Sequence, residues 1–264
     1  MNLFQAVILA IIEGLTEFLP VSSTGHMIIV SALLGVEPDD FAKLFLIVIQ
    51  LGTILSVLVL YYKRFFQTVS FYYKLVIAAI PASILGVLFN DYIDAALESP
   101  LIVAVSLVIG GILLLFVDKW FNKPKIDSME KVGYKQSFMI GVYQCLALIP
   151  GVSRSASTIV GGMSQNLSRK LAAEFSFFLA VPMMFGASVI KLIKFLKNGN
   201  TFSGEQIKLL VVGNLVGFVV AILAIKFFIE VLTKYGFKVF GWYRIVIGLI
   251  IITVLLSGHQ LEII

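Results

Sequence analysis

Apolar residues dominate the chain in runs long enough to cross a membrane, and short polar stretches separate these runs. Their hydropathy predicts ten helical segments. Six of them meet the length of roughly 20 residues that a membrane-spanning helix needs. The segments lie near residues 2–19, 22–35, 41–62, 71–89, 100–118, 134–149, 154–167, 171–196, 208–232 and 239–257. The pattern therefore predicts an all-α polytopic membrane protein with six full transmembrane helices.

The remaining four segments form two pairs, 2–19 with 22–35 and 134–149 with 154–167. In each pair a proline and following serines separate two helices, and the second helix is short. Proline ends the first helix, and the hydroxyl residues cap the next one. Each pair is therefore predicted to be a re-entrant helix–loop–helix hairpin whose tip lies inside the membrane. Four tilted full spans are the alternative.

Similar stretches follow the two predicted hairpins and indicate an internal repeat. Phe41-Ala-Lys-Leu-Phe45 corresponds to Ala172-Ala-Glu-Phe-Ser176. The first repeat, about 1–118, contains one hairpin and three full spans. Because three is odd, the second repeat, about 134–264, is predicted to insert with the opposite topology. A basic connector, 119–133, joins the repeats within a single membrane domain.

Loop charges predict how the chain is oriented. The six spans place the acidic loops 37–40 and 91–98 on one side, with few bases, chiefly Lys197. The other side carries the loops 63–74, 119–135, 168–170 and 233–238, with Lys63, Arg64, Lys74, Lys119, Lys123, Lys125, Lys131, Lys135, Arg169, Lys170, Lys234 and Lys238. The positive-inside rule predicts that these basic loops are cytoplasmic and that both termini are external.

Composition supports the membrane interpretation and excludes several classes of protein. The mean hydropathy is +1.02 and 13% of the residues are charged, against roughly 25% in soluble domains. The net charge of +5 is attributed to loop topology, and no nucleic-acid binding is predicted. The first segment lacks the basic N-terminal region of a signal peptide and contains Glu13 and Glu17. We therefore interpret it as part of the mature protein. The single cysteine, Cys145, excludes a disulfide within the chain and is expected to be a small core residue.

Polar groups concentrate at the first predicted hairpin. The run from Glu13 to His26 reads EGLTEFLPVSSTGH. A charged acidic side chain at the centre of a membrane helix costs about 3 kcal/mol, so such residues usually mark a functional site. Glu13 and Glu17 are four apart and share a helix face. They are predicted to hold a divalent cation, Mg²⁺ or alternatively Ca²⁺, or to share a proton; a purely structural pairing with Arg154 is the alternative.

The second helix of this hairpin opens with hydroxyl residues and glycine. They are Ser22, Ser23, Thr24 and Gly25. Unpaired backbone N–H groups at a helix start bind anions, and Gly25 permits close approach of the backbone. His26 lies three residues after Ser23, within reach of its hydroxyl or a phosphate, whereas His259 lies near the tail. The attacking group is predicted to be Ser23 with His26 as base; His26 itself and an activated water are the alternatives.

The second hairpin supplies the opposite charge. Arg154 follows Pro150-Gly-Val-Ser153 in apolar sequence. Its guanidinium can donate hydrogen bonds to two phosphate oxygens at once. Further hydroxyl donors are Ser153, Ser155, Ser157 and Thr158. Two helix starts, an arginine and several hydroxyls predict a polyanion pocket. A nucleophile beside acidic groups then predicts a hydrolase acting by phosphoryl transfer.

The two motifs resemble those of the bacterial undecaprenyl-pyrophosphate phosphatase family, also known for bacitracin resistance. The matching runs are Glu13–His26 and Pro150–Ser155 with Thr158, and the likeness extends through Phe175–Met184. The resemblance implies removal of one phosphate from undecaprenyl pyrophosphate, which recycles the lipid carrier for cell-wall synthesis. It also implies a place in the plasma membrane and the use of a divalent cation.

The resemblance assigns roles to individual residues. It implies that Glu17, Ser23, His26 and Arg154 are essential. It implies that the phosphates or the metal are supported by Glu13, Ser22, Thr24, Ser153, Ser155 and Thr158. The expected partners are a polyprenyl diphosphate and membrane lipid, and no oligomeric state is predicted. A transporter or flippase for an anionic polyprenyl lipid is the alternative, because broken helices in inverted repeats are typical of transporters.

Overall fold

The computed structural model describes residues 1–66, 68–97 and 99–257, so Glu98 and His259 lie outside the described residues. The described residues form α-helices and no strand, with one isolated bridge between Ile126 and Leu167. The helices are α1 (Leu3–Thr16), α2 (Ser23–Leu33), α3 (Asp40–Leu60), α4 (Val69–Leu88), α5 (Asn90–Leu97), α6 (Pro100–Trp120), α7 (Tyr134–Gln144), α8 (Arg154–Ser164), α9 (Arg169–Lys197), α10 (Gly204–Tyr235) and α11 (Lys238–Leu256). The all-α class is confirmed.

Six of the described helices are long and apolar enough to cross a membrane. They are α3, α4, α6, α9, α10 and α11, the same six that hydropathy predicts. Large apolar side chains remain exposed along them, such as Leu223 at 63% and Ile109 at 54%. Apolar surface of this extent belongs against lipid rather than water. The protein is therefore a multi-pass membrane protein.

The short helices differ from the prediction at their ends. The first segment was expected to continue to residue 19, but α1 ends at Thr16 with Glu17 as its C-cap. The sixth was expected to reach residue 149, but α7 ends at Gln144 and a 3₁₀ turn covers Cys145–Leu148. The interpretation of 91–98 as a loop was wrong for 91–97, because α5 occupies Asn90–Leu97. Eight residues with two acids give no apolar run, so hydropathy does not detect this helix.

Close helix contacts hold the two helix breaks in place. Helix α1 packs against α10 and α3, and α7 packs against α4 and α8. At one crossing the Gly52 N–H donates to Asn214 Oδ1 over 2.6 Å. A side chain at position 52 would collide with the Asn214 carbonyl, so only glycine allows α3 and α10 to approach this closely.

Two further features connect neighbouring parts of the fold. Asp118 accepts hydrogen bonds from Arg169 Nε at 2.6 Å and from the Phe237 N–H at 2.7 Å, which ties α6 to α9 and α11. A buried aromatic cluster lies beside the first break, where Phe18 packs edge-on against Phe177 at 5.4 Å between ring centroids. Residue 18 is thereby anchored next to Glu17.

Candidate functional site

The site lies where the break between α1 and α2 contacts the break between α7 and α8. Ser155 Oγ, at the second break, donates to the Leu19 carbonyl at the first break over 2.6 Å. Arg154 Nη2 donates to Glu17 Oε1 over 3.0 Å, which joins the same two segments by an ion pair. The structure thus brings together the two polar runs that are far apart in sequence.

Each break turns through a serine in the left-handed region. Ser22 has φ 67° and Ser153 has φ 77°, and a helix begins directly after each of them. Such a conformation costs a non-glycine residue about 1–3 kcal/mol and clusters at functional sites. Ser153 Oγ caps α8 by accepting from the Ala156 N–H at 3.2 Å, whereas the Ser22 side chain makes no capping bond. The first amides of α2 are therefore suited to bind an anion.

Ser23, Glu17 and Arg154 form one continuous polar chain. Ser23 Oγ donates to Glu17 Oε2 at 2.6 Å, and the other oxygen of Glu17 binds Arg154. The side chains of Glu17 and Arg154 are only 9% and 16% exposed. Arg154 Nη1 also donates to the Ser176 carbonyl at 3.0 Å, which fixes the guanidinium plane. A hydroxyl, a carboxylate and a cation therefore share one partly buried site.

His26 is placed differently from expectation. Its Nδ1 lies 2.8 Å from the Ser22 carbonyl and its Nε2 lies 2.7 Å from the Tyr243 hydroxyl. Because a carbonyl only accepts, Nδ1 carries a proton, and Nε2 forms the hydrogen bond with the Tyr243 hydroxyl. The hydrogen-bond acceptor of the Ser23 hydroxyl is Glu17. His26 therefore supports the strained Ser22 turn, and the expected Ser23–His26 pair is not formed.

The other residues predicted to bind phosphate mostly contact neighbouring residues of the protein instead. Thr158 Oγ1 lies 2.6 Å from Ser176 Oγ, and Ser153 Oγ lies 2.9 Å from Ser155 Oγ. A Cβ at Gly25 would lie 2.8 Å from Leu107 Cδ1, so packing against α6 accounts for this glycine. These residues therefore stabilise the protein structure around the site.

A cavity of about 480 Å³ opens onto the site. Glu13, Ser23 and Thr24 line one part of it, together with Gln50, which the sequence analysis did not single out. Glu13 is 1% exposed, and its buried Oε1 has no hydrogen-bond partner. An unpartnered carboxylate oxygen beside an amide suits a hard divalent cation. The described residues contain no group of three or more His, Cys, Asp or Glu side chains that could hold a metal ion.

Arg244 is a further residue of the site that the sequence analysis missed. It is 1% exposed in the middle of the two breaks. Its guanidinium donates to the carbonyls of Gly151 (2.9 Å), Val152 (2.9 Å), Ser106 (3.2 Å), Pro20 (3.3 Å) and Leu107 (3.4 Å). Arg244 thus binds both breaks to α6 through backbone oxygens. Its sequence signal is an isolated arginine within an apolar span.

Comparison with known proteins shows which family the chain belongs to. A protein from Flavobacterium johnsoniae named undecaprenyl-diphosphatase is 60% identical over 265 residues, covering 100% of both chains. Proteins of the same name from Porphyromonas gingivalis and Bdellovibrio bacteriovorus are 51% and 49% identical, covering 100% and 99% of both chains, respectively. The family model described as bacitracin resistance protein BacA matches residues 6–250, and the chain belongs to this family.

Proposed function

We propose that this protein is an integral membrane phosphatase that hydrolyses undecaprenyl, or another polyprenyl, diphosphate to the monophosphate and phosphate. The reaction recycles the lipid carrier for cell-wall synthesis. The relatives' shared name supports the reaction. The observation that carries the proposal is the chain of contacts from Ser23 through Glu17 to Arg154 beside the cavity.

In the proposed reaction Ser23 Oγ attacks the terminal phosphorus. The Oγ–P bond forms as the bridging P–O bond breaks, and polyprenyl phosphate leaves. The hydroxyl proton passes to Glu17 Oε2, which already accepts its hydrogen bond. Arg154 and the first amides of α2 bind the negative oxygens, and water then hydrolyses the phosphoserine. His26 acts as a positioning residue through the Ser22 carbonyl.

A divalent cation, Mg²⁺ or Ca²⁺, is part of this proposal. Glu13 and the amide oxygen of Gln50 would hold it, and Glu17 is the second carboxylate on the same helix face. Such an ion neutralises negative charge on the phosphate oxygens. Both oxygens of Glu17 already bind Ser23 and Arg154, so Glu13 is the stronger ligand candidate.

We also propose the placement of the chain in the bacterial plasma membrane. The two helix breaks are taken as re-entrant hairpins of an inverted-topology repeat, with basic loops cytoplasmic and both termini external. The proposal is supported by α2 and α8, which have 11 residues each. A helix of this length measures about 16 Å, roughly half of the hydrocarbon core. The same left-handed serine before both helices supports a common origin of the two halves.

Phosphate release tests the proposed function directly. The full-length protein is purified in neutral detergent and given undecaprenyl diphosphate with Mg²⁺ and no ion gradient. We expect phosphate release that stops with EDTA and falls at least about 10³-fold in Ser23→Ala, because the attacking oxygen is lost. Ser83→Ala, an exposed position on α4, is the matched control. A transporter would release no phosphate, and full activity of Ser23→Ala would exclude it as nucleophile.

A further inference from the structure

The imidazole ring of His26 is held at both of its nitrogens. Nδ1 donates to the Ser22 carbonyl over 2.8 Å, and Nε2 lies 2.7 Å from the hydroxyl of Tyr243 on α11. The two ring planes are within 6° of parallel, and their centroids are 5.5 Å apart. His26 is 7% exposed, so the ring is enclosed between these partners. The hydrogen bond at one ring nitrogen therefore helps to fix the orientation of the other.

The turn that this ring contacts is the strained turn of the first break. Ser22 has φ 67°, and α2 begins directly after it at Ser23. A non-glycine residue stays in this conformation only where its surroundings fix it. The Ser22 side chain makes no capping bond, so the contact of its carbonyl with His26 is part of what holds the turn. The position of Ser23, the proposed nucleophile, depends on that turn.

Helix α11 acts on this turn at two points. Arg244 follows Tyr243 on α11, and its Nη1 donates to the Pro20 carbonyl over 3.3 Å. Tyr243 acts on the Ser22 carbonyl, two residues further along the chain, through His26. Because Arg244 also binds carbonyls of the second break, Tyr243 is the more selective place to disturb the first break alone.

The Tyr243 hydroxyl is the outermost link of this series of contacts. Without it, Nε2 of a buried ring loses the partner seen in the structure, which gives the ring a reason to leave the Ser22 carbonyl. Ser23 Oγ donates to Glu17 Oε2 over 2.6 Å, and a moved turn would change this geometry. Displacing a reacting group by about 1 Å can cost about 10²-fold in rate. A small shift of the turn is therefore enough to slow an attack by Ser23.

We propose that Tyr243 is a positioning residue of the phosphatase site. Its hydroxyl orients His26, His26 holds the Ser22 carbonyl, and the turn thereby keeps Ser23 against Glu17. This inference rests on the proposed function and adds a group from α11, remote in sequence from both breaks, to the residues that the reaction needs. It also gives His26 Nε2 a partner other than the Ser23 hydroxyl.

The test removes the hydroxyl and keeps the ring. Tyr243→Phe is compared with Tyr134→Phe in the full-length protein. The two tyrosines are 43% and 50% exposed, and the Tyr134 hydroxyl also links two helices, lying 3.3 Å from Ser70 Oγ. Phosphate release from undecaprenyl diphosphate gives kcat and KM, with kcat referred to the folded fraction from thermal unfolding.

The ring itself is observed by ¹⁵N NMR of histidine-labelled protein. The chain has two histidines, His26 and His259, so the same variants carrying His259→Gln show a single imidazole. The Nε2 signal reports the contact with the Tyr243 hydroxyl. Exchange of the Nδ1 proton with water reports the contact with the Ser22 carbonyl. A tyrosine that only adds to the stability of the fold would leave both signals of folded protein unchanged.

We expect Tyr243→Phe to lower kcat about tenfold with KM within about twofold of wild type, because the nucleophile is displaced while the phosphate-binding groups remain. We also expect its Nε2 signal to move and its Nδ1 proton to exchange faster. Tyr134→Phe should match wild type in all of these measurements. Wild-type kcat in Tyr243→Phe overturns the inference. A lowered kcat with unchanged ring signals overturns it as well, since the tyrosine would then act independently of His26.

Failure of the proposed function gives a different result. A wild-type protein that releases no phosphate contradicts the phosphatase, but it does not affect the NMR comparison. Faster Nδ1 exchange in Tyr243→Phe than in Tyr134→Phe would still show that Tyr243 holds His26 on the Ser22 carbonyl. Equal exchange in the two variants would exclude this role of the tyrosine.

Discussion

The two helix breaks share a left-handed serine before the second helix, and they carry opposite chemistry. When Ser22 is aligned with Ser153, both serines are left-handed and both precede an eleven-residue helix. In this alignment Ser23 corresponds to Arg154, and Glu17 corresponds to Leu148. The first break therefore supplies the carboxylate and the hydroxyl, whereas the second supplies the cation. The proposed phosphatase site uses groups from both breaks, so neither half would form it alone.

The alignment also shows which positions keep a shared structural role. Glu13 corresponds to Gln144, and His26 corresponds to Ser157. His26 and Ser157 each contact the carbonyl of their own left-handed serine, at 2.8 Å and 2.9 Å. The shared feature is thus a side chain, four residues after the left-handed serine, that contacts the carbonyl of that serine. The divergent features are the charges that face the partner break.

Removing the cation that the second break supplies should reduce activity the most. Arg154→Ala takes away the only charge that the second break contributes to the ion pair with Glu17. Leaving one partner of a buried pair costs about 3–5 kcal/mol, and the phosphate also loses its guanidinium. We expect phosphate release to fall at least about 10³-fold while the protein still inserts in the membrane. Arg154→Lys, which keeps the charge and loses the paired geometry, should recover only part of the activity.

Arg244 offers a second way to separate the breaks, without touching either charged side chain. Arg244→Gln cannot reach the five carbonyls that the guanidinium binds on both breaks and on α6. We expect a loss of about 3 kcal/mol in stability, since several buried carbonyls lose their donors. Because the breaks then shift relative to each other, kcat should fall about 10- to 100-fold with a smaller change in KM.

A merely structural role of Arg244 would give a different result. In that case the folded fraction would show wild-type kcat once thermal unfolding in detergent is taken into account. Arg169→Gln is the control, because this half-exposed arginine also binds across helices, through Asp118, and its ion pair joins neither break. An unchanged kcat in folded Arg244→Gln would contradict its positioning role.

The extent to which the site could be predicted follows from the kind of contact involved. Hydropathy identified the six spans, and the proline–serine runs identified both breaks, because burial and capping leave local patterns. The pairing of Arg154 with an acidic residue was predicted as a structural alternative, because a buried charge in apolar sequence needs a partner of opposite charge. The partner of His26 was missed because Tyr243 is remote in sequence and ordinary in composition. Likewise, Arg244 binds carbonyls, which every residue carries, so its contacts have no sequence pattern.

Replacing each left-handed serine with glycine should have the smallest effects. These two substitutions also compare the two breaks most directly. Ser22→Gly removes the strain of a positive φ without losing a capping bond, because the Ser22 side chain makes none. We expect a gain of about 0.5–1 kcal/mol in stability, or about 2 °C in unfolding temperature. Ser153→Gly removes similar strain but loses the cap on Ala156 and the contact with Ser155 Oγ. Each is worth about 1 kcal/mol, so the net change should be zero or negative.

Measuring stability and activity together in these variants distinguishes a structural role of the two serines from a role in binding substrate. If the strain at Ser22 is tolerated only because its hydroxyl binds substrate phosphate, Ser22→Gly should be more stable and less active than wild type. If the hydroxyl has no such role, activity should persist, since the turn and the His26 contact with the Ser22 carbonyl both survive the change. Thermal unfolding and phosphate release are measured on the same preparations. Equal stability changes at positions 22 and 153 would show that the capping bond of Ser153 contributes nothing and that the two turns are energetically alike.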